Sequence, residues 1–453
     1  MAEKYYEIDL LRQKIVILQL VKTVKHNKDM LQTNFIKENK DFVIERLKVK
    51  NFKNAEESIN RVIELDNSRR ELQKQLDENK SQQNAIAKEI GMLFKQGNKQ
   101  AAEEKKAATG ELKATEKDLQ EKHSQKEAEI RNLLLSIPNL PHVSVPIGKG
   151  EEDNEVVSMV GNIPELGNDA LPHWDLCKKY DIIDFDLGNK ITGAGFPVYK
   201  GKGAKLQRAL INFFLEEGEK DGYLEVQPPL MVNEASALAT GQLPDKEAQM
   251  YVITLDNYYM IPTAEVPVTN IFRDTIVNKK DFPIKRCAYS QCFRREAGSY
   301  GKDVRGLNRL HQFDKVEIVC IDAPDHSYEQ LEIMKKHVGG LLDKLGLPYR
   351  ILRLCGGDTS FTSALTFDFE VYSAAQQRWL EVSSVSNFES YQANRLKVRY
   401  KDDNSKTQLC HTLNGSALAL PRIVAALLEN NQTPEGIKVP ECLHKFTGFS
   451  IID

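Results

Sequence analysis

Between residues 56 and 134, apolar residues recur at helical spacing inside an otherwise polar stretch that contains no proline. Ile59, Val62, Leu65, Leu72, Leu76, Ile86, Ile90 and Leu93 stand three, four or seven apart with one gap. After the GNKQ of residues 97–100, a more polar series follows at Leu112, Leu119, Ile130, Leu133 and Leu134. This pattern predicts two long amphipathic helices folding back at Gly97, an antiparallel coiled-coil hairpin. At 1.5 Å per residue, each helix reaches roughly 50 Å. Periodicity alone suits a dimerisation coil or a solvated spacer, and the near balance of basic and acidic residues favours that plain reading.

SIPNLPHVSVPIGKGEEDN (136–154) then brings prolines, glycines and an acidic run, the signature of a linker. Four segments are expected: an N-terminal extension at 1–29, the helical arm at 30–135, the linker at 136–160 and a large domain at 161–453. Helical spacing returns over 203–223 at Leu206, Leu210, Phe213 and Phe214. A β-like run, YLEVQPPLMV, follows, and its prolines end the strand. Beyond it, short strands alternate with a few helices and long loops, without a regular βαβ rhythm. The fold class expected is α+β: the helical hairpin plus a domain with an antiparallel sheet flanked by helices.

A net charge of −3 over 453 residues gives no global pull toward nucleic acid or anionic membrane. The seven cysteines are widely spaced with no C-x-x-C pair, so neither a disulfide framework nor a zinc knuckle is supported, and they read as reduced core residues. IVILQLV (15–21) is far shorter than the about 20 residues a bilayer requires. It also lacks a basic leading segment and a cleavage site. No membrane association and a cytoplasmic location are expected.

Against that balance, CFRREAGSYGKDVRGLNRLHQFDKVEIV (292–319) gathers Arg294, Arg295, Lys302, Arg305 and Arg309. It reads as a hairpin whose glycine-containing loop of about 12 residues is of the kind that closes over ligand. Strand alternation puts Arg294 with Glu296, and His311 with Phe313, Lys315 and Glu317. Guanidinium, carboxylates and an aromatic ring on one side suit a ligand with an anionic group, a flat ring and amino groups; plain Arg–Glu surface pairing is the alternative. In CHTLNGSALALPRIVAALLENNQ (410–432), Pro421 suits the first turn of a helix. Arg422 then lies at the helix end where a cation is disfavoured unless a phosphate or a carboxylate offsets it. Asn414, Gly415 and Ser416 read as a polar turn before that helix. In MIPTAEVPVTN (260–270), strand alternation puts Thr263 and Glu265 together, fit to receive an ammonium. In RWLEVSSVSNFESYQANR (378–395), Glu381 with a nearby serine can hold a hard cation such as Mg²⁺.

The strand ending in Pro228 and Pro229, the FRRE hairpin and GSALALPR occur in the order of the three class II aminoacyl-tRNA synthetase motifs. Together with SIPNLPH, TAEVP, RGLNRLHQF and LEVSSVSNFESYQANR, they make the chain similar to the seryl-tRNA synthetases, in their bacterial form, from about Met30 to the C-terminus. The resemblance implies a homodimeric ligase that activates L-serine with ATP and Mg²⁺ and charges serine tRNA, with selenocysteine tRNA as a further candidate. It implies that Arg294 holds the α-phosphate and the serine carboxylate, that Glu296 receives the adenine amino group and that Phe313 stacks on the ring. Arg422 meets the γ-phosphate with Arg305 nearby, and Glu381 and Ser384 hold Mg²⁺. Arg295, Leu310, His311, Gln312, Val382 and Ser383 complete the ATP site. Thr263 and Glu317 bind serine, with Asn414 and Ser416 near its side chain. In such enzymes the arm lies along the tRNA, which makes Arg69, Arg70, Lys74, Lys88 and Lys105 candidate phosphate contacts. Two rivals are an adenylating enzyme that charges a carrier protein, whose relatives lack the arm, and a non-catalytic coiled-coil RNA binder, which would lack Arg294, Glu296, Glu381 or Arg422. Residues 1–29 have no family counterpart and are expected to be dispensable.

Overall fold

The computed structural model describes residues 32–167, 169–245, 248–295 and 305–453. Segment 1–29 and Glu296 therefore lie outside the described residues. The chain divides into two compact units, a helical one containing residues 32–48 and 52–138 and a second one containing Val49–Asn51 and Asn139–Asp453.

In the helical unit, α1 (Ala55–Lys95) and α2 (Lys99–Ser136) form the expected antiparallel pair. At 1.5 Å per residue α1 is about 60 Å long, somewhat more than the sequence suggested. The turn falls where expected: Gly97 takes φ +78°, a left-handed conformation costly for other residues, and Asn98 caps α2 by accepting from the Ala101 N–H. Ile59, Val62, Leu65, Leu76 and Ile130 are buried, whereas Ile86, Ile90, Leu93 and Leu112 near the turn are only half-buried. The cause is geometric. A lone helix pair covers one stripe of each partner, while the base also packs against the short helix Thr33–Glu38.

The second unit is built on one eight-stranded sheet. Its strands are β1 (Glu155–Val160), β2 (Leu224–Glu225), β3 (Ile284–Phe293), β4 (Gln312–Asp322), β5 (Tyr349–Arg353), β6 (Leu365–Ser373), β7 (Arg378–Asn387) and β8 (His411–Ala419). The order is β1-β5-β6-β7-β8-β4-β3-β2, antiparallel throughout except for β2 beside β3. Helices α3 (Gly201–Lys220), α5 (Ser327–Leu345) and α7 (Leu420–Asn430) pack against it, and α4 (Glu265–Asn270) and α6 (Ser390–Leu396) flank the site described below. This is the α+β arrangement expected. Six cysteines are buried, Cys442 is half-buried, and all seven are free thiols. Among the described residues no helix is long and apolar enough to cross a membrane.

Three local readings are corrected. TAEVP is not a strand: the chain turns at Thr263 and Glu265 opens α4. Asn414–Gly415–Ser416 is not a turn but the middle of β8, buried between β7 and β4, with Gly415 opposite Val385 and Ile318. A Cβ on Gly415 would lie 3.0 Å from a Val385 methyl, so the small residues mark close strand packing rather than a loop. The β3–β4 connection runs from Arg294 to His311, longer than the expected loop, and takes Arg294, Arg295 and His311 out of the strands.

Candidate active site

The side chains of interest converge where β3, β4, β7, β8 and the start of α7 meet. A cavity of about 280 Å³ there is lined by Arg294, Phe313, Lys315, Val382, Ser383 and Ser416, among others. A second cavity of about 890 Å³ shares Asn308, Arg309, Glu381 and Arg422 with it and extends along β5, β6 and β7.

One end is a buried polar knot. Lys315 Nζ donates to Thr263 Oγ1 (2.8 Å) and pairs with Glu317, and Thr263 Oγ1 and Ser416 Oγ donate to Glu317 Oε2 at 3.3 and 3.5 Å. β4 supplies Lys315 and Glu317 two residues apart on one face, β8 supplies Ser416 opposite Glu317, and the turn before α4 supplies Thr263. Glu265, at the start of α4, donates its N–H to Thr263 Oγ1 (3.2 Å) and accepts from Gln392 of α6 (2.6 Å). Burial pushes the Glu265 carboxyl up to about 7, with the Glu317 carboxylate adding and Gln392, Lys315 and Asn414 opposing. It is therefore a site where a ligand cation is favoured.

In the middle, the Arg294 guanidinium lies 5.3 Å from the Phe313 ring centre, leaving a planar cation and an aromatic face side by side. Strand pairing brings them together, since Gln312 and Phe313 face Phe293 and Cys292.

At the other end, Ser384 Oγ donates to Glu381 Oε1 (3.3 Å) although the two are three residues apart in a strand. A bulge explains this. β6 pairs Phe369 with Ser383 and Glu370 with Glu381, so Val382 has no opposite residue and the face parity shifts by one. Asp368 of β6 lies opposite Ser384, its carboxyl pushed well up by burial and then by Glu381. Arg422, in the first turn of α7 with Pro421 before it, donates through Nη1 to the Glu381 carbonyl (2.7 Å) and to Glu381 Oε2 (3.5 Å), and through Nε to the Asn308 carbonyl (3.0 Å). The offset to a cation at this helix start is thus partly internal.

Arg294, Leu310, Phe313, Glu381, Val382, Ser383, Ser384, Ser416 and Arg422 all line the two cavities. Others do not come to the lining. Arg295 is exposed, its backbone N–H on the Gln249 carbonyl; Arg305 stacks on Trp174 at 4.5 Å; His311 stacks on Phe196 and bonds Tyr251. Gln312 opens β4, half-buried, and Asn414 is buried in β8. Sequence reasoning grouped Arg309 with the site arginines and placed Lys315 on one face with Glu317, but it did not single out Asn308, for which the polar RGLNRLHQF stretch was the available signal, nor read the Lys315–Glu317 pairing.

This donor set sits on chain segments with known counterparts. The model of the tRNA synthetase class II core domain (G, H, P, S and T) matches residues 251–431, and that of the seryl-tRNA synthetase N-terminal domain matches residues 30–141. A serine–tRNA ligase of Salinibacter ruber is 50% identical over 425 residues, covering 93% of this chain and 99% of its own. The chain belongs to the seryl-tRNA synthetase family. The crystal structure of a seryl-tRNA synthetase from Pyrococcus horikoshii complexed with ATP superposes with a TM-score of 0.87 at 31% identity, over 93% of this chain and 99% of that one. A cytoplasmic serine–tRNA ligase from Naegleria fowleri in complex with AMP gives 0.82 at 29%, over 94% and 99%. Seryl-tRNA synthetase architecture thus extends through both units, arm and sheet alike.

Proposed function

We propose that the cleft performs both steps of a serine–tRNA ligase: serine and ATP give seryl-adenylate, and the seryl group then passes to the 3′ end of tRNA. In the first step a serine carboxylate oxygen attacks the α-phosphorus, the bond to the β-phosphate oxygen breaks, and pyrophosphate leaves. Such a displacement depends on positioning and charge neutralisation rather than on a protein nucleophile. Arg294 holds the α-phosphate and the serine carboxylate, Phe313 carries the adenine with Glu296 on its amino group, and Arg422 meets the γ-phosphate. In the second step a hydroxyl of the terminal adenosine attacks the seryl carbonyl and AMP leaves.

The observation that carries the serine assignment is the buried knot of Thr263, Lys315, Glu317 and Ser416. It is small and polar, and although Lys315 is closely paired, the Thr263 and Ser416 hydroxyls reach Glu317 only at 3.3 and 3.5 Å, so a substrate hydroxyl and ammonium improve its bonding while a methyl group leaves polar atoms unpaired. Glu265 supplies a further carboxylate for the ammonium. Serine-dependent ATP–pyrophosphate exchange tests this: alanine should be rejected by about 10⁴ or more, and exchange with alanine within tenfold of serine defeats the assignment.

Mg²⁺ fits the far end. Glu381 and Ser384, brought to one face by the bulge, would hold it, and the nearby Asp368 carboxyl adds a third hard oxygen to a set such an ion prefers. Bound there, the ion would neutralise charge on the phosphates. A homodimer is proposed from an exposed apolar patch. Met231 and Tyr258 share one face of a three-stranded sheet, and Leu255, in the turn of the same hairpin, is 97% exposed. Sedimentation at micromolar concentration checks it. Serine tRNA, with selenocysteine tRNA as a second substrate, is the proposed partner of the arm, and the cytoplasm the proposed location.

A further inference from the structure

We infer that His173 and Glu429 are positioning residues that hold the loop stem at residues 305–309 where its Asn308 and Arg309 can meet the ATP triphosphate; this rests on the nucleotide reading above. The stem has no regular secondary structure, so its backbone stays in place only if its polar groups are tied down.

The principal tie is buried. The Leu307 N–H donates to His173 Nε2 (2.9 Å), which makes Nε2 the unprotonated nitrogen of the ring. His173 Nδ1 then carries the hydrogen and donates it to Glu429 Oε1 (2.7 Å). Both side chains are fully buried. Glu429 also accepts from the His173 N–H (2.9 Å), from Gln376 Nε2 (2.9 Å) and from Ser373 Oγ. Burial pushes the Glu429 carboxyl up, but the hydrogen bonds from His173 and Ser373 outweigh it and hold the group below the usual range, so it stays a carboxylate.

Three further details converge on the same stem. Gln376 receives Asn308 Nδ2 (3.0 Å), and Arg305 lies over Trp174, the residue after His173. Gly306 has φ +67°, and a Cβ there would lie 2.2 Å from His173 Nε2, so only glycine lets the stem approach the ring. Glu429 follows Arg422 by seven residues, two turns along the same face of α7. One helix face thus grips the stem twice: Arg422 directly through the Asn308 carbonyl, and Glu429 through His173.

A buried pair that only stabilises the fold would disturb both substrates alike, whereas a positioning pair acts on ATP. His173→Leu should raise the KM for ATP about tenfold, the cost of one buried unpaired donor, and leave the serine KM within about twofold. His173→Gln, whose amide oxygen can occupy the place of Nε2, should restore the ATP KM to within about threefold of the unaltered chain. If His173→Leu does not fold, Gln376→Ala, which reaches the stem through Asn308, decides by the same split between ATP and serine. ATP affinity measured by calorimetry without serine separates the two claims. An unaltered protein that binds ATP but fails to exchange with serine defeats the serine assignment alone. Equal losses for ATP and serine, an unchanged ATP affinity in the Leu variant, or a Gln variant no better than Leu overturns the inference.

Discussion

Asp66 in the helical arm and Glu265 beside the cleft are both carboxylates withdrawn from water, and they titrate in opposite directions. Asp66 accepts from Lys37 (3.3 Å), Arg69 (2.9 Å) and Arg70 (2.7 Å). Burial pushes its carboxyl up, but those three cations outweigh burial and hold it below the usual range. Glu265 has Gln392 and Asn414 for company, the more distant Lys315, and Glu317 against it, and stands at about 7. A fully compensated buried charge stabilises a fold. An undercompensated one is destabilising until a ligand completes it, and that marks a binding site. The contrast runs within the sheet unit as well: Glu429 is compensated by His173, Ser373 and Gln376, while Glu265 and Asp368 beside the cleft are left short.

The largest effect is expected at the end of the cleft assigned to phosphate and cation. Glu381→Ala should lower serine-dependent exchange by about 10³ if it holds the cation that offsets transition-state charge. Exchange near the unaltered rate at ordinary Mg²⁺ would place the cation elsewhere. The converse change removes the arm that carries the compensated Asp66. Replacing residues 60–130 by a short linker should spare exchange yet lower tRNA charging by about 10² or more, since phosphate contacts give both affinity and register. Full charging by that variant would return the arm to a spacer or dimerisation element.

What the sequence could and could not disclose follows the same division. The arm was legible because a helix pair covered on one side keeps its 3.6-residue period, and its turn was marked by Gly97 and Asn98. The site was legible as residue types and as a family resemblance but not as local geometry. β8 is buried on both faces, which erases alternation, so Asn414–Gly415–Ser416 looked like a turn. The bulge at Val382 that unites Glu381 with Ser384 leaves no mark in composition. TAEVP has strand-like alternation, but Glu265 turns into α4, where α6 supplies Gln392 from 127 residues away. His173 lies far from the motif stretches and gave no signal.

Asp66→Ala probes the compensated case at intermediate size. Lys37, Arg69 and Arg70 would lose a shared acceptor, costing the arm about 2 kcal/mol, readable by hydrogen exchange along α1, with serine-dependent exchange unaltered. Because the folded value is depressed, the stabilisation is complete above the unfolded carboxylate value of about 4 and is lost as pH falls through the folded value. Protection that is the same at pH 3 and pH 6 would contradict the ion cluster. Glu265 should behave in the opposite sense. Its carboxyl ionises only as pH rises through about 7, so the KM for serine should fall by about fivefold between pH 6 and 7 and by about twofold more before levelling off near pH 8. Glu265→Gln should flatten that profile; an unchanged slope would assign the titration to another group.

The smallest effect separates fold from RNA contact in the arm. Arg69 and Arg70 were candidate phosphate contacts, yet both hold Asp66, so neutralising them changes stability and tRNA affinity together. Lys105 is likewise paired, with Glu89 at 2.7 Å. Lys74 is different. Its contact with Glu78 is 3.9 Å long and both side chains are well exposed, so the pair contributes at most about 0.5 kcal/mol. Lys74→Gln should therefore leave the unfolding transition in place. If Lys74 touches a phosphate, it should weaken tRNA binding about two- to threefold and lower the salt slope by about one. Unchanged affinity and slope would mean that the phosphate contacts lie on other cations of the arm, with Lys88 the next to neutralise.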